Sequence, residues 1–388
     1  DEVSTPEIDV QLSVRVEEGS SLLGLRALID GRLAAQARGI SVSAVQSAQK
    51  GQLTHTIKVP LPPRDSVLSI LAETSPAKSP LVAVRLHWKG AAPTAADLEI
   101  QQPKLYLLTI GVSEYRQPDL RLRFAAKDAT DTTAAFRAQA KILYRAVESR
   151  LLTDAQATKS NILDGLEWLQ RQATQHDLTV LFIAGHGINN PTTGGYAFLP
   201  YDADLNAIKR TLVADSDIRS TLSNLPGKAL LFMDTCHAGN VLGPVRLRAA
   251  FDYAALMQEL TSADSGVIVF ASSTGRQSSR ESERWNNGAF TKALVEGLRG
   301  RADFQRSGRI TVNMLDLYIS ERVKELTGGL QTPSTAKPST VSDYPIAILM
   351  TSRWEGIKVL LERGVADRDI DLSGLPNDAI SQMTTEIL

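Results

Sequence analysis

The sequence predicts an α/β protein, an open and mostly parallel sheet flanked by helices, preceded by an all-β, sandwich-like domain. Three observations carry this prediction. Four near-continuous apolar runs lie between residues 104 and 272, as expected of strands buried on both faces. Amphipathic stretches of helical period alternate with them, the pattern of right-handed crossovers that put helices on both faces of a sheet. The first hundred residues instead carry short segments in which apolar and polar residues alternate.

In chain order, "IDVQLSVRV" (8–16), "THTIKVPL" (54–61) and "SPLVAVRLHW" (79–88) have the period of half-buried strands. "EEGSS" and "PLPPRDS" supply turns between them, so residues 1–100 are expected to form one β domain. The buried runs follow as "KLYLLTIGV" (104–112), "LTVLFIAG" (178–185), "KALLFMD" (228–234) and "SGVIVFAS" (265–272). "SNILDGLEWLQRQA" sets Ile162, Leu166 and Leu169 on one helical face, and "GAFTKALVEGLRG" does so with Phe290, Leu294 and Leu298. "TVNMLDLYISERVKEL" aligns Leu315, Ile319 and Val323, with Thr311 as its N-cap. "QTPSTAKPSTVSD" (331–343) reads as a flexible loop and "YPIAILM" as a closing strand. The α/β domain is thus expected over 101–349, and 350–388 as a tail whose one amphipathic stretch is "WEGIKVLLERG".

Composition narrows the function. The 388 residues are 43% hydrophobic, and 42 Lys plus Arg against 43 Asp plus Glu leave a formal charge of -1. That balance gives no reason to expect nucleic acid or an anionic membrane as partner. Cys236 is the sole cysteine, so no internal disulfide forms, which fits a reducing compartment without proving one. No apolar run reaches the roughly 18 residues of a spanning helix. The chain starts at Asp1 rather than Met, which leaves room for an upstream signal or anchor. Localisation is therefore undetermined, with the cytoplasm favoured and export left open.

Two buried runs end in reactive groups. "VLFIAGHG" ends in His186 between Gly185 and Gly187, and "ALLFMDTCHAG" ends in Cys236. Reactive groups collect beyond the carboxyl ends of strands in open α/β sheets, so neighbouring strands would bring these two together. An imidazole can take the proton of a thiol that is mostly un-ionised near neutrality and later return it to a leaving amine. The glycines are expected to leave space for a substrate backbone. The amides of Gly187 and Cys236 are the candidate oxyanion donors.

At these two boxes the sequence resembles the caspase-like cysteine peptidases, in particular the prokaryotic, orthocaspase-type branch of the metacaspases. "FIAGHG" resembles that family's "SGHG" and "MDTCHAG" its "DSCHSG"; "LLTIGVSEY", "FAAKDA", "YAFLPYDAD" and "NNGAFTKALVEGL" extend the likeness over 104–349. The fifty residues between His186 and Cys236 also match the caspase spacing. The resemblance implies a cysteine endopeptidase with His186 as general base and Cys236 as nucleophile, cleaving proteins or peptides after Arg or Lys. Asp128 stands where the family carries an aspartate of the specificity pocket, and Asp234 stands two residues before the nucleophile; two converging carboxylates would hold a guanidinium strongly. The resemblance also implies maturation by cleavage after the Cys strand, for which Arg246 and Arg248 are the candidates. It further implies that the β domain is similar to the immunoglobulin-like modules ahead of bacterial members, a surface for a protein partner. Ala125 replaces a second cysteine found in many metacaspases, and Ala184 the usual serine; neither change removes a reactive group. Gln277 and Glu281 match a Q-x-x-x-E pattern without an assigned role. The alternative is an inactive caspase-like scaffold or signalling module, which intact His186 and Cys236 oppose; another thiol hydrolase on the same sheet is a third reading.

His237 adjoins Cys236 but is expected to pack rather than react. His55, His87 and His176 lack partners at ligand spacing, so no metal site is expected. The chemistry requires no cofactor. Calcium activation, common among metacaspases, would have to use Asp202, Asp204, Asp215 or Asp217, which form no recognisable loop and read more simply as solvated acids. No P-loop, dinucleotide fingerprint, serine elbow or metalloprotease helix is present.

Overall fold

The computed structural model describes residues 1–15, 21–30, 32–33, 40–41, 52–62, 64–75, 82–90, 102–190, 195–237, 253–261, 266–273, 279–338 and 341–349. The tail beyond 349, with "WEGIKVLLERG", lies outside them, as do Arg246, Arg248 and Gln277.

The N-terminal strands form two sheets. Glu7–Arg15 pairs antiparallel with Gln52–Pro60. The larger sheet runs Glu2–Val3, Val82–Trp88, Ser66–Ser75, Ser21–Ile29 and Arg32–Leu33, with Ile40–Ser41 also on Ser21–Ile29. Ile57 and Val59 of the first sheet share a buried cluster with Ala27, Leu68 and Leu86 of the second, so the expected alternation buries one face of Gln52–Pro60. In Val82–Trp88 it does so only at Leu86, since Val82 and Val84 on the same face are exposed. Two of these strands were not legible as alternating segments. In "SLLGLRALI" the pairing slips between Leu22 and Gly24, which shifts the parity of the side chains. In "SVLSILAETS" Leu68, Ser69, Leu71 and Ala72 are all buried, so its two faces do not differ clearly.

The second region is built on an eight-stranded sheet. Its strands are β1 (Leu105–Gly111), β2 (Val147–Thr153), β3 (Leu178–Asn189), β4 (Tyr196–Phe198), β5 (Val213–Ala214), β6 (Lys228–His237), β7 (Val267–Ala271) and β8 (Ser334–Ala336). They run β2-β1-β3-β6-β7-β8, parallel through β7, with β8 antiparallel at the edge. β4 turns back against the end of β3, and β5 pairs with β4. The helices α1 (Ala125–Arg137), α2 (Lys159–Gln172), α3 (Asp215–Ser223), α4 (Tyr253–Leu260), α5 (Ala289–Glu296) and α6 (Val312–Thr327) cover both faces.

The unbroken apolar runs follow from that double cover. Along β3, Leu181 and Ile183 enter the core beneath α2, α3 and α4, whereas Val180 and Phe182 enter the one beneath α1, α5 and α6. β6 alternates likewise, with Leu231 and Met233 on the first side and Leu230 and Phe232 on the second. Leu122, in the segment between β1 and α1, packs against both cores. Phe232 is fully buried and stacks on Phe270 with ring centroids 4.8 Å apart. Phe232→Ala is expected to cost about 3–5 kcal/mol, read as a lowered denaturant midpoint.

Helix ends follow the expected chemistry. Thr311 Oγ1 accepts from the Met314 amide at 3.3 Å, and Thr158 caps α2 by accepting from Asn161. The C-terminal expectations need correction. Pro345–Ile348 is a strand, but it pairs with Arg309–Thr311 in a separate ribbon rather than closing the main sheet. The closing edge is β8, inside the segment expected to be a loop. Of the three β8 residues only Ala336 is apolar and packs against the core, which leaves no apolar pattern to read.

Candidate active site

β3 and β6 lie side by side at the centre of the sheet, in register from Leu178 opposite Lys228 to Gly187 opposite His237. This pairing sets Cys236 opposite His186. Both strands run further than their apolar runs suggest, so His186 stands within β3, three residues before its end, rather than in a turn beyond it.

His186 is 3% exposed and held at two points. Its amide donates to Tyr115 Oη at 2.8 Å, and the two rings lie 5.3 Å apart. Its Nε2 stands 3.0 Å from the Leu120 carbonyl oxygen. A carbonyl only accepts, so Nε2 carries the hydrogen and Nδ1 is the basic nitrogen of the neutral ring. The segment that supplies this carbonyl is itself anchored. The amides of Ser113 and Glu114 both donate to Asp154 Oδ1, and Ser113 Oγ accepts from the Ala126 amide. Tyr115→Phe should leave the ring contact but remove the acceptor; we expect about a tenfold loss of kcat with KM little changed, measured on the best peptide substrate.

Asp128 and Asp234 lie close to one another. Asp128 lies in the first turn of α1 and Asp234 on β6. A Cβ placed on Gly288 would stand 2.8 Å from Asp234 Oδ2 and 3.0 Å from Asp128 Oδ2, so this glycine lies between the two carboxylates. Asp128 accepts from Asn287 Nδ2 at 2.9 Å and from the Gly288 amide at 3.1 Å. Asp234 accepts from Ser279 Oγ at 2.8 Å and Thr291 Oγ1 at 2.7 Å. Burial, reinforced by the Asp234 charge, pushes the Asp128 carboxyl well above its usual range. Burial raises Asp234 as well, against the pull of its hydroxyl donors.

Residues 105–343 match the family model of the caspase domain, Peptidase C14. The chain belongs to the caspase-domain family of cysteine peptidases. Metacaspase-1B of Aspergillus fumigatus is 28% identical over 147 residues, covering 35% of this chain and 35% of that protein. Metacaspase-1B of Aspergillus oryzae is 29% identical over the same length, covering 35% and 34%. The caspase-domain chain thus spans about a third of the length of the curated relatives it matches. Among solved structures, protein GSU0716 from Geobacter sulfurreducens is similar at a TM-score of 0.46 and 19% identity, over 64% of this chain and 100% of that one.

Other residues of the caspase domain take places that the sequence did not assign. A Cβ on Gly187 would meet the Tyr196 ring at 2.6 Å, and one on Gly185 would meet Tyr115 Oη at 2.8 Å. Both glycines therefore make room for the chain's own aromatic rings rather than for a substrate backbone. Gly185 also has φ +147, a conformation that side chains resist. Glu281 accepts from the Arg123 and Phe124 amides at the start of α1, which gives it a structural role. Asp202 accepts from the Lys159 amide and Asp217 from that of Ala214, both at helix starts. Among the described residues no three His, Cys, Asp or Glu side chains group as a metal site. Among them, too, no helix is long and apolar enough to cross a membrane. Tyr115, Leu120, Asn287 and Gly288 were missed as site residues. Tyr115, Asn287 and Gly288 fall within "LLTIGVSEY" and "NNGAFTKALVEGL", but the contribution of Leu120 is a backbone carbonyl and carries no side-chain signal.

Proposed function

We propose that this chain is an endopeptidase that cleaves proteins after Arg or Lys, with Cys236 as nucleophile and His186 as general base. The observation that carries this reading is the strand register that sets Cys236 opposite an imidazole whose tautomer is fixed by the Leu120 carbonyl. In this reading Nδ1 takes the Cys236 proton as the thiolate attacks the scissile carbonyl carbon. The amides of Gly187 and Cys236 hold the oxyanion of the tetrahedral intermediate. The imidazolium then protonates the departing amine, and water hydrolyses the thioester with the same imidazole as base.

Asp128 and Asp234 receive the basic side chain of the residue before the scissile bond. Both are buried, so a guanidinium or ammonium there would form charge-assisted bonds little weakened by solvent. Self-cleavage at Arg246 or Arg248 belongs to the same reading, as does an orthocaspase-type ancestry with an immunoglobulin-like N-terminal module that docks a protein partner. The test is turnover of fluorogenic peptides ending in Arg, Lys or Asp, with and without calcium. Turnover after Arg and Lys is expected. Turnover after Asp alone would overturn the specificity, and a rate raised by calcium would add an activating ion to the reading.

A further inference from the structure

Lys228 opens β6 at the end opposite Cys236, about 26 Å along the strand. There a cavity of about 570 Å³ lies between the N-terminal strands and the base of the main sheet, within the size range of small-molecule sites. Its lining includes Arg64 and Arg85 from the N-terminal region and Lys228 and Tyr344 from the caspase domain. The Lys228 ammonium sits 4.0 Å from the centroid of the Tyr344 ring. Among the described residues it makes no ion pair and no hydrogen bond. Burial, helped by the nearby Arg64 charge and opposed by Asp30, pulls its pKa down to about 8.

The acids of the cavity are already engaged. Asp30 accepts from Arg64 at 2.7 Å and from the Val67 amide at 2.9 Å. Asp65 accepts from the Trp88 amide and faces His87 Nδ1 at 3.1 Å. Asp343 accepts from the Asn313 amide at the start of α6. Arg64 is thus oriented by Asp30 and pushes on Lys228, while Arg85 has no carboxylate partner among the described residues. Two cations in a concave site without a carboxylate partner among the described residues, Lys228 and Arg85, beside a third that Asp30 already orients, are an arrangement that a phosphate or carboxylate completes.

We propose that this cavity binds a small multivalent anion, bearing phosphate or carboxylate groups, between Lys228 of the caspase domain and Arg64 and Arg85 of the N-terminal strands. Such a ligand joins the two regions at the base of the strand that ends in Cys236.

The test is calorimetric titration of the full chain with pyrophosphate and, separately, with citrate, at ionic strength matched by sodium chloride. One-site, saturable binding of at least one probe is expected, and the tighter probe names the group recognised. Lys228→Met should weaken it at least tenfold. Arg85→Gln, on an exposed strand position, should do the same and keeps the test valid if Lys228→Met fails to fold. Cys236→Ala should bind like the unaltered chain, which separates this site from the proposed peptidase chemistry. No saturable binding of either probe, or unchanged affinity in Arg85→Gln and Lys228→Met, overturns the proposal.

Discussion

Cys236→Ala is expected to lower peptide-bond cleavage about 10⁴-fold while the circular dichroism spectrum stays that of the folded chain. His186→Gln should lose a similar factor, because without the imidazole nothing removes the thiol proton. The stronger expectation concerns the double variant. Two groups that act in one proton transfer fail together, so removing both should cost little more than removing either. Fragmentation at Arg246 or Arg248 should disappear in the Cys236 variant if those sites are cut by the chain itself. Cleavage in Cys236→Ala at the unaltered rate would remove the mechanism. Two fully additive losses would instead mean that His186 and Cys236 do not act as a pair.

Asp128→Asn is expected to cut kcat/KM for Arg-terminated peptides about 10²-fold, the loss of one charge-assisted bond of about 3 kcal/mol. The same substitution should raise the melting temperature at pH 7. The sign follows from burial. The folded-state pKa of Asp128 lies well above its unfolded value of 3.8, so the folded chain binds more protons. Stability is therefore fully present below the unfolded pKa and falls as pH rises through that value towards the folded one. Asparagine has no charge to bury, and its oxygen can still accept from Asn287 Nδ2 and the Gly288 amide. Gain of stability with loss of turnover would mark a carboxylate kept for substrate rather than for the fold. A lowered melting temperature would mark a structural acid. A basic substrate side chain should also draw a proton off the pair, so binding below neutrality should release protons to the buffer.

Much of this architecture was legible because it rests on side chains. The buried strands announce themselves through unbroken apolar runs, and β3 and β6 fall where those runs do. His186, Cys236, Asp128 and Asp234 were legible because each is a reactive or charged group in a recognisable box. What was not legible depends on backbone. Leu120 contributes a carbonyl, Gly288 an amide, and β8 a three-residue pairing whose one apolar residue is Ala336. Gly185 and Gly187 were visible, but their purpose was not, since the rings that fill the space beside them come from Tyr115, Tyr196 and Phe198. The chain past the end of an apolar run also misled: His186 lies inside β3 because pairing with β4 carries the strand onward.

Leu122 has a consequence for how this molecule would come apart. It stands two residues beyond the carbonyl that holds His186 Nε2, and its amide bonds to Ser113, which opens the same segment. Because Leu122 rests on both cores, loosening either layer of helices shifts the footing of that carbonyl. The imidazole thereby becomes a sentinel for the whole sheet. Its ring resonances should broaden when either layer begins to melt, ahead of the collapse of the strands themselves.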